Sequence, residues 1–201
     1  MKIGLFGGTF DPPHLGHIQL ALDFYKASDV DLLIVMPSFI PPHKASSSTD
    51  VETRLQMTKI ACLKLGELGV NYTVSDFEIN KQDTSYTINT VNFLLGKYGI
   101  DKISLCVGSD MLLSFESWKS ADELMKKCHI YSKEREVGEY DELSRFAMYL
   151  KEKYSAEVTV MNGNTIEVSS TELRLGDKNV QTLLDPSVAR FIKNNGLYTN
   201  S

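Results

Sequence analysis

The sequence predicts a single doubly wound α/β domain, a parallel sheet covered by helices on both faces. Three observations carry that prediction. Short apolar runs alternate with stretches of helical spacing along nearly the whole chain. Several of the runs stop at glycine or proline, as Ile3-Gly4-Leu5-Phe6 does at Gly7-Gly8. The segments between them are long enough for right-handed helical crossovers joining parallel strands.

Taken in order, residues 2–6 read as a strand, followed by a turn-rich stretch and an amphipathic helix over 14–27. Residues 31–36 form a second buried strand ending at Pro37, and the loop 38–48 carries Pro41, Pro42, His43 and Lys44. Thr49 with Glu52 fits a capping box that opens a helix reaching Leu65. Residues 70–77 alternate as a third strand, 87–97 have helical spacing, and 102–107 are a fourth apolar run before Gly108. Ser120 with Glu123 caps a further helix. Residues 129–131 and 158–161 read as strands on either side of a helix over 141–154. Asp185 as N-cap, Pro186 at the first helical position and Gly196 after Asn195 bracket a terminal helix. No linker divides residues 1–201.

At 201 residues, the chain is long enough to bury roughly 70% of the surface its unfolded form exposes, without disulfide or metal. Its 26 acidic against 21 basic residues give a net charge of −5, which disfavours a broad nucleic-acid surface but leaves room for a small anion in a local positive pocket. Cys62, Cys106 and Cys128 show no C-x-x-C spacing and read as reduced thiols. The N-terminus lacks the features of a signal peptide, and no apolar run approaches the ≥ 18 residues of a membrane span. A cytoplasmic protein without membrane contact is expected. The sequence allows a homo-oligomer without specifying one.

Ligands of open α/β sheets sit at the carboxyl ends of the strands, which directs attention to the loop Gly7-Gly8-Thr9-Phe10-Asp11-Pro12-Pro13-His14-Leu15-Gly16-His17. It is neither G-x-G-x-x-G nor a P-loop. His14 and His17, three apart at a helix start, share a face beside the free N–H groups that attract phosphate. Gly16 between them permits close approach of a ligand or another segment. Taken by themselves, the two histidines could equally be surface polar residues or a metal pair. No C-x-x-C or H-E-x-x-H pattern supports a zinc site, and Mg²⁺ carried in with a nucleotide is the better expectation.

The run Gly-Gly-Thr-Phe-Asp before H-x-G-H resembles the signature of the nucleotidyltransferase α/β-phosphodiesterase superfamily, which is Rossmann-like. Ser169-Ser170-Thr171-Glu172-Leu173-Arg174 is similar to that superfamily's S-S-T-x-x-R motif. Further segments resemble the family of bacterial nicotinate-nucleotide adenylyltransferases: PSFIPPHK over 37–44, Ser85-Tyr86-Thr87 with Thr90, Gly108-Ser109-Asp110 with Trp118, and the ending that contains Arg190 and Gly196-Leu197-Tyr198. The resemblance spans residues 3 to about 198.

It implies adenylyl transfer from ATP to nicotinate mononucleotide, with Mg²⁺ accompanying ATP. His14 and His17 would contact the ATP phosphates, and Gly8, Thr9 and Phe10 would line the nucleotide site by their backbone. Gly108 and Asp110 would hold the ribose. Ser169, Ser170 and Arg174 would bind the adenylate end and the triphosphate. Thr87 and Trp118 would hold the nicotinate, and Lys44 would reach a phosphate, so that His14, His17, Lys44 and Arg174 form the catalytic set. Trp118 could instead be a core residue, and Lys44 a solvated loop charge. After Tyr131 the chain departs from the family's Arg-Pro pair, since Arg135 is followed by Glu136. Other readings are a different acceptor, nicotinamide mononucleotide or phosphopantetheine, and a non-catalytic nucleotide-sensing domain.

Overall fold

The structure, a computed structural model, describes residues 1–41, 49–176 and 181–199. Among these, β1 (Ile3–Gly8), β2 (Leu32–Pro37), β3 (Tyr72–Val74), β4 (Ile103–Gly108), β5 (Cys128–Lys133) and β6 (Glu157–Met161) form one sheet in the order β3-β2-β1-β4-β5-β6. Every pairing is parallel. The connections are α1 (Leu15–Ser28), α2 (Val51–Glu67), α3 (Phe77–Lys81), α4 (Thr87–Tyr98), α5 (Ser109–Leu113), α6 (Ala121–Lys127) and α7 (Tyr140–Tyr154). Two more, α8 (Ser170–Arg174) and α9 (Pro186–Asn194), follow β6.

The period of two along each strand divides the core between the two faces. Leu5, Ile34, Met36, Leu105 and Val107 point to the face covered by α4, α6 and α7, where they meet Val91, Leu124 and Leu150. Their neighbours Phe6, Leu33, Val35 and Cys106 point to the opposite face, against Phe24 of α1, Met57 and Leu65 of α2 and Val188 of α9. Gly4 lets α1 lie close to β1, because a Cβ there would stand 2.9 Å from the Phe24 ring.

The predicted alternation holds, with four local differences. The third strand is only Tyr72–Val74, and the chain turns directly into α3. β3 is an edge strand paired with Leu33–Val35 alone. The Ser75 N–H still bonds to the Val35 carbonyl at 2.9 Å, while its hydroxyl accepts from the N–H of Phe77, the first residue of α3, at 3.3 Å. Asp50 rather than Thr49 caps α2, accepting from the Thr53 N–H at 2.9 Å. Ser120 stands before α6 as predicted, but with φ 57 and no side-chain cap bond. β5 extends at both ends of the predicted 129–131. The terminal helix is as expected, with Asp185 accepting from the Ser187 N–H at 2.8 Å and Pro186 in the first turn.

Cys62, Cys106 and Cys128 are buried and free, and burial pushes the Cys62 and Cys128 thiols up to about 12. Among the described residues no helix is long and apolar enough to cross a membrane.

Candidate active site

β1 and β4 lie side by side at the centre of the sheet, and their crossovers leave in opposite directions. Such a switch point opens a crevice at the strand ends. It holds a cavity of about 850 Å³, within the size range of small-molecule sites. Gly8 closes β1 on one side of it and Gly108 closes β4 on the other. Every site residue predicted from sequence lines this cavity except Lys44, which lies outside the described residues.

His14 is the N-cap of α1 and His17 its third residue, and the two cap one another. The His17 N–H donates to His14 Nδ1 at 3.3 Å, and the His14 N–H donates to His17 Nδ1 at 3.2 Å. A ring nitrogen that accepts carries no proton, so both imidazoles hold theirs on Nε2. The rings stack with centroids 3.6 Å apart. Burial, helped by the positive charge of Arg135, lowers the His14 pKa to about 3. At neutral pH His14 is therefore an uncharged donor. Gly16 makes the arrangement possible, because a Cβ there would stand 2.9 Å from Val168 Cγ1 and 3.1 Å from His14 Nδ1. The close approach that this glycine permits is thus to protein side chains.

The loop between β1 and α1 is anchored from three sides. Arg54 of α2, 2% exposed, donates to the Thr9 carbonyl at 2.8 Å and to the Phe39 carbonyl at 3.0 Å. The Ser170 hydroxyl donates to the Pro12 carbonyl at 2.9 Å, and Arg174 Nη1 donates to the Asp11 carbonyl at 2.5 Å. From the C-terminal segment the Tyr198 hydroxyl donates to Asp11 Oδ1 at 2.6 Å. The loop itself is tight. Phe10 has φ 50, and its ring packs edge-on to His17 at 5.1 Å between centroids.

Ser169 caps α8 in a reciprocal box with Glu172, its hydroxyl donating to Glu172 Oε2 at 2.6 Å. The Ser169 and Ser170 hydroxyls are thus engaged within the protein. Asp110 Oδ1 likewise accepts from the Met111 N–H at 2.9 Å.

The far end of the cavity is built by Ser85, Tyr86, Thr87, Trp118 and Lys119. Trp118 has both characters that its sequence context allowed, since it stacks on buried Phe115 with centroids 4.8 Å apart and also lines the cavity. Ser85 is fixed by two partners. Its N–H donates to the Ile40 carbonyl at 2.9 Å and its Oγ accepts from the Phe39 N–H at 2.9 Å. Glu78 accepts from the Thr90 hydroxyl at 2.5 Å, and burial raises its pKa.

Sequence reasoning missed Arg54, Glu78, Lys119 and Lys133. Lys133, 4% exposed, donates to Asp23 Oδ2 and to the Asn164 carbonyl, both at 2.6 Å, on the cavity wall. Arg135, at the departure from the family pattern, lines the cavity and donates to the Val168 carbonyl at 3.3 Å. Among the described residues no cluster of three or more His, Cys, Asp or Glu could hold a metal ion.

A central switch point whose first helix is capped by paired histidines defines a nucleotide-binding α/β protein, and a cytidylyltransferase-like family model matches residues 5–176. The chain is 34% identical over 201 residues to a Caldicellulosiruptor saccharolyticus protein named "Probable nicotinate-nucleotide adenylyltransferase", covering 98% of this chain and 99% of the relative. A Shewanella frigidimarina protein of the same name is 31% identical over 214 residues, with 98% and 100% covered. A Plasmodium falciparum nicotinic acid mononucleotide adenylyltransferase, solved as a complex with NaAD, superposes with a TM-score of 0.78 at 17% identity, over 98% of this chain and 97% of that one. That likeness shows a shared fold. The chain belongs to the cytidylyltransferase-like family and, within it, to the nicotinate-nucleotide adenylyltransferases.

Proposed function

We propose that residues 1–201 act as a single nucleotidyltransferase domain that transfers the adenylyl group of ATP to nicotinate mononucleotide, forming nicotinate adenine dinucleotide and pyrophosphate. The observation that carries this reading is the mutual cap of His14 and His17, which sets two Nε2–H donors in the wall of a cavity at the ends of β1 and β4. A 5′-phosphate oxygen of the acceptor attacks the α-phosphorus of ATP. The bond from that phosphorus to the α,β-bridging oxygen breaks, and its electron pair leaves on pyrophosphate.

The second pKa of a phosphate monoester is about 6, so the nucleophile is already ionised at neutral pH and needs no general base. The protein's tasks are positioning and stabilisation of charge that moves onto the leaving group. His14 and His17 suit the second task. Gly8, Thr9 and Phe10 would border the triphosphate, with Gly108 and Asp110 at the ribose. Arg174, Ser169 and Ser170 would hold the adenylate end, in part by fixing the loop under it. Thr87 and Trp118 would receive the pyridine ring, and Lys44 is assigned to a phosphate. Mg²⁺ enters as part of the nucleotide substrate, neutralising its charge. A cytoplasmic location suits these substrates.

Pyrophosphate release with MgATP tests the reading, comparing nicotinate mononucleotide, nicotinamide mononucleotide and phosphopantetheine as acceptors. The highest kcat/KM is expected with the first. His17→Ala should lower kcat by about 10²–10³ while changing ATP binding far less, because its contact strengthens in the transition state. Release that depends on phosphopantetheine would overturn the acceptor assignment, and equal kinetics in the variant would remove His17 from the mechanism.

A further inference from the structure

The two pyridine mononucleotides differ at one place: one carries a carboxylate and the other a neutral amide. A site that selects the acid must set positive charge or N–H donors near the ring. Three described cations of the cavity lie away from the Trp118 wall, at the ends of β5 and α8, and each is engaged there: Lys133 with Asp23, Arg135 with the Val168 carbonyl, Arg174 with the Asp11 carbonyl. Arg135 acts on His14, and Arg174 holds the loop before it. Lys119 is placed differently. It follows Trp118 directly, lines the same cavity, and holds Nζ 4.2 Å over the Tyr86 ring, between the two segments assigned to the nicotinate.

A cation on an aromatic face is oriented without being neutralised. Among the described residues Lys119 forms no ion pair. Its platform is held in place, because Ser85 next to Tyr86 is bonded to Phe39 and Ile40. The acidic group on this wall is Glu78, which is buried and accepts from the Thr90 hydroxyl. When ionised, its field works against an acidic ligand, so a nearby cation is needed to offset it.

We infer that Lys119 is a specificity-determining residue whose ammonium, seated on Tyr86 beside Trp118, selects the acid form of the pyridine mononucleotide over the amide. This rests on the acceptor reading given above. The test is the ratio of kcat/KM for nicotinate mononucleotide to that for nicotinamide mononucleotide, measured on wild-type protein, Lys119→Gln and Lys119→Arg. Lys119→Gln should lower the ratio about tenfold, the order expected for losing a charge-assisted contact, chiefly by raising KM for the acid. Lys119→Arg should keep the ratio within about threefold of wild type, because it keeps the charge and the stacking. Raising the salt concentration should shrink the wild-type ratio and leave that of Lys119→Gln nearly flat.

A ratio unchanged in Lys119→Gln would overturn the inference and assign selection to other groups while leaving the acceptor reading intact. An equal loss in Gln and Arg variants would also overturn it, since the stem and not the charge would then matter. Wild-type protein that turns over neither pyridine mononucleotide would sink the acceptor reading and this inference together.

Discussion

Replacing Arg54 by Met should uncouple the two loops that form the cavity. The guanidinium is 2% exposed and donates to the Thr9 carbonyl at 2.8 Å and the Phe39 carbonyl at 3.0 Å. Met retains most of the apolar stem and removes both bonds. Each of these half-buried carbonyls, left without a partner, costs up to about 1–3 kcal/mol. Against this, burial disfavours the charged guanidinium and lowers its pKa, and Met removes that penalty. The net expectation is a loss of about 2–4 kcal/mol.

For a domain of this size such a loss is a fall in Tm of roughly 5–15 °C. The loops link function to the same bonds. Thr9 stands in the wall assigned to ATP, and the Phe39 N–H holds Ser85 beside Thr87. KM should rise about tenfold for both substrates together, the scale of a small misplacement of a binding wall. Arg54→Lys, keeping the charge and one bond, should fall between. Urea denaturation with initial rates at varied ATP and varied acceptor tests this. A Met variant within about 0.5 kcal/mol of wild type, with both KM values unchanged, would refute the reasoning.

Three other outcomes follow from the same structure. The His14 pKa is lowered to about 3 from 6.5 by burial and Arg135, so its contribution to stability is fully present above about pH 6.5. It is lost as pH falls toward 3, at up to about 1.4 kcal/mol per unit; His14→Asn should flatten that part of a pH–stability curve, and an unchanged slope would count against a neutral buried imidazole. Tyr198→Phe removes the 2.6 Å bond to Asp11 and should cost about 1.5–3 kcal/mol in urea unfolding, whereas no loss would mean the C-terminal segment does not hold the loop. Glu78→Ala takes the acceptor from the Thr90 hydroxyl of α4, the helix that Thr87 opens, and should raise KM for the acceptor about tenfold, with a smaller change for ATP; equal rises would point to a general loss of structure.

The legible parts of this protein are those with local causes. Strand–helix alternation, the glycines closing β1 and β4, and the Asp185-Pro186 start of α9 all act within a few residues, and each stands where its pattern indicated. H-x-G-H was readable as a pair on one face at a helix start. Its mutual cap was not, because imidazole rarely serves as an N-cap and the usual caps are Ser, Thr, Asp and Asn. The unread residues depend on long-range contact. Arg54 is one charged residue in a helix with several, and only the approach of Thr9 and Phe39, 45 and 15 positions away, marks it. Glu78 lies just past the stretch 70–77 that alternates like a strand, and only the approach of Thr90, 12 positions on, marks its carboxylate. Lys119 reads as a solvated charge until Tyr86 is placed under it.

The paired histidines answer a difficulty that the charge count raises. A chain with net charge −5 has to gather two polyanions in one cavity, and the obvious solution, a ring of free cations, is not what the described residues build. Lys133 is matched by Asp23 at 2.6 Å, and Arg174 stands 3.9 Å from the Asp11 carboxylate. Strong cations fixed on both substrates would deepen the ground state as much as the transition state and contribute little to rate. Uncharged N–H donors act differently. Held by backbone hydrogen bonds at the start of α1, His14 and His17 need little reorganisation as charge shifts, and they are aligned with the positive end of the helix dipole. The net positive charge required for binding can then arrive with the nucleotide as Mg²⁺. On this reasoning the protein's own investment lies in fixing the donors, which is why so many half-buried polar bonds converge on residues 9–14.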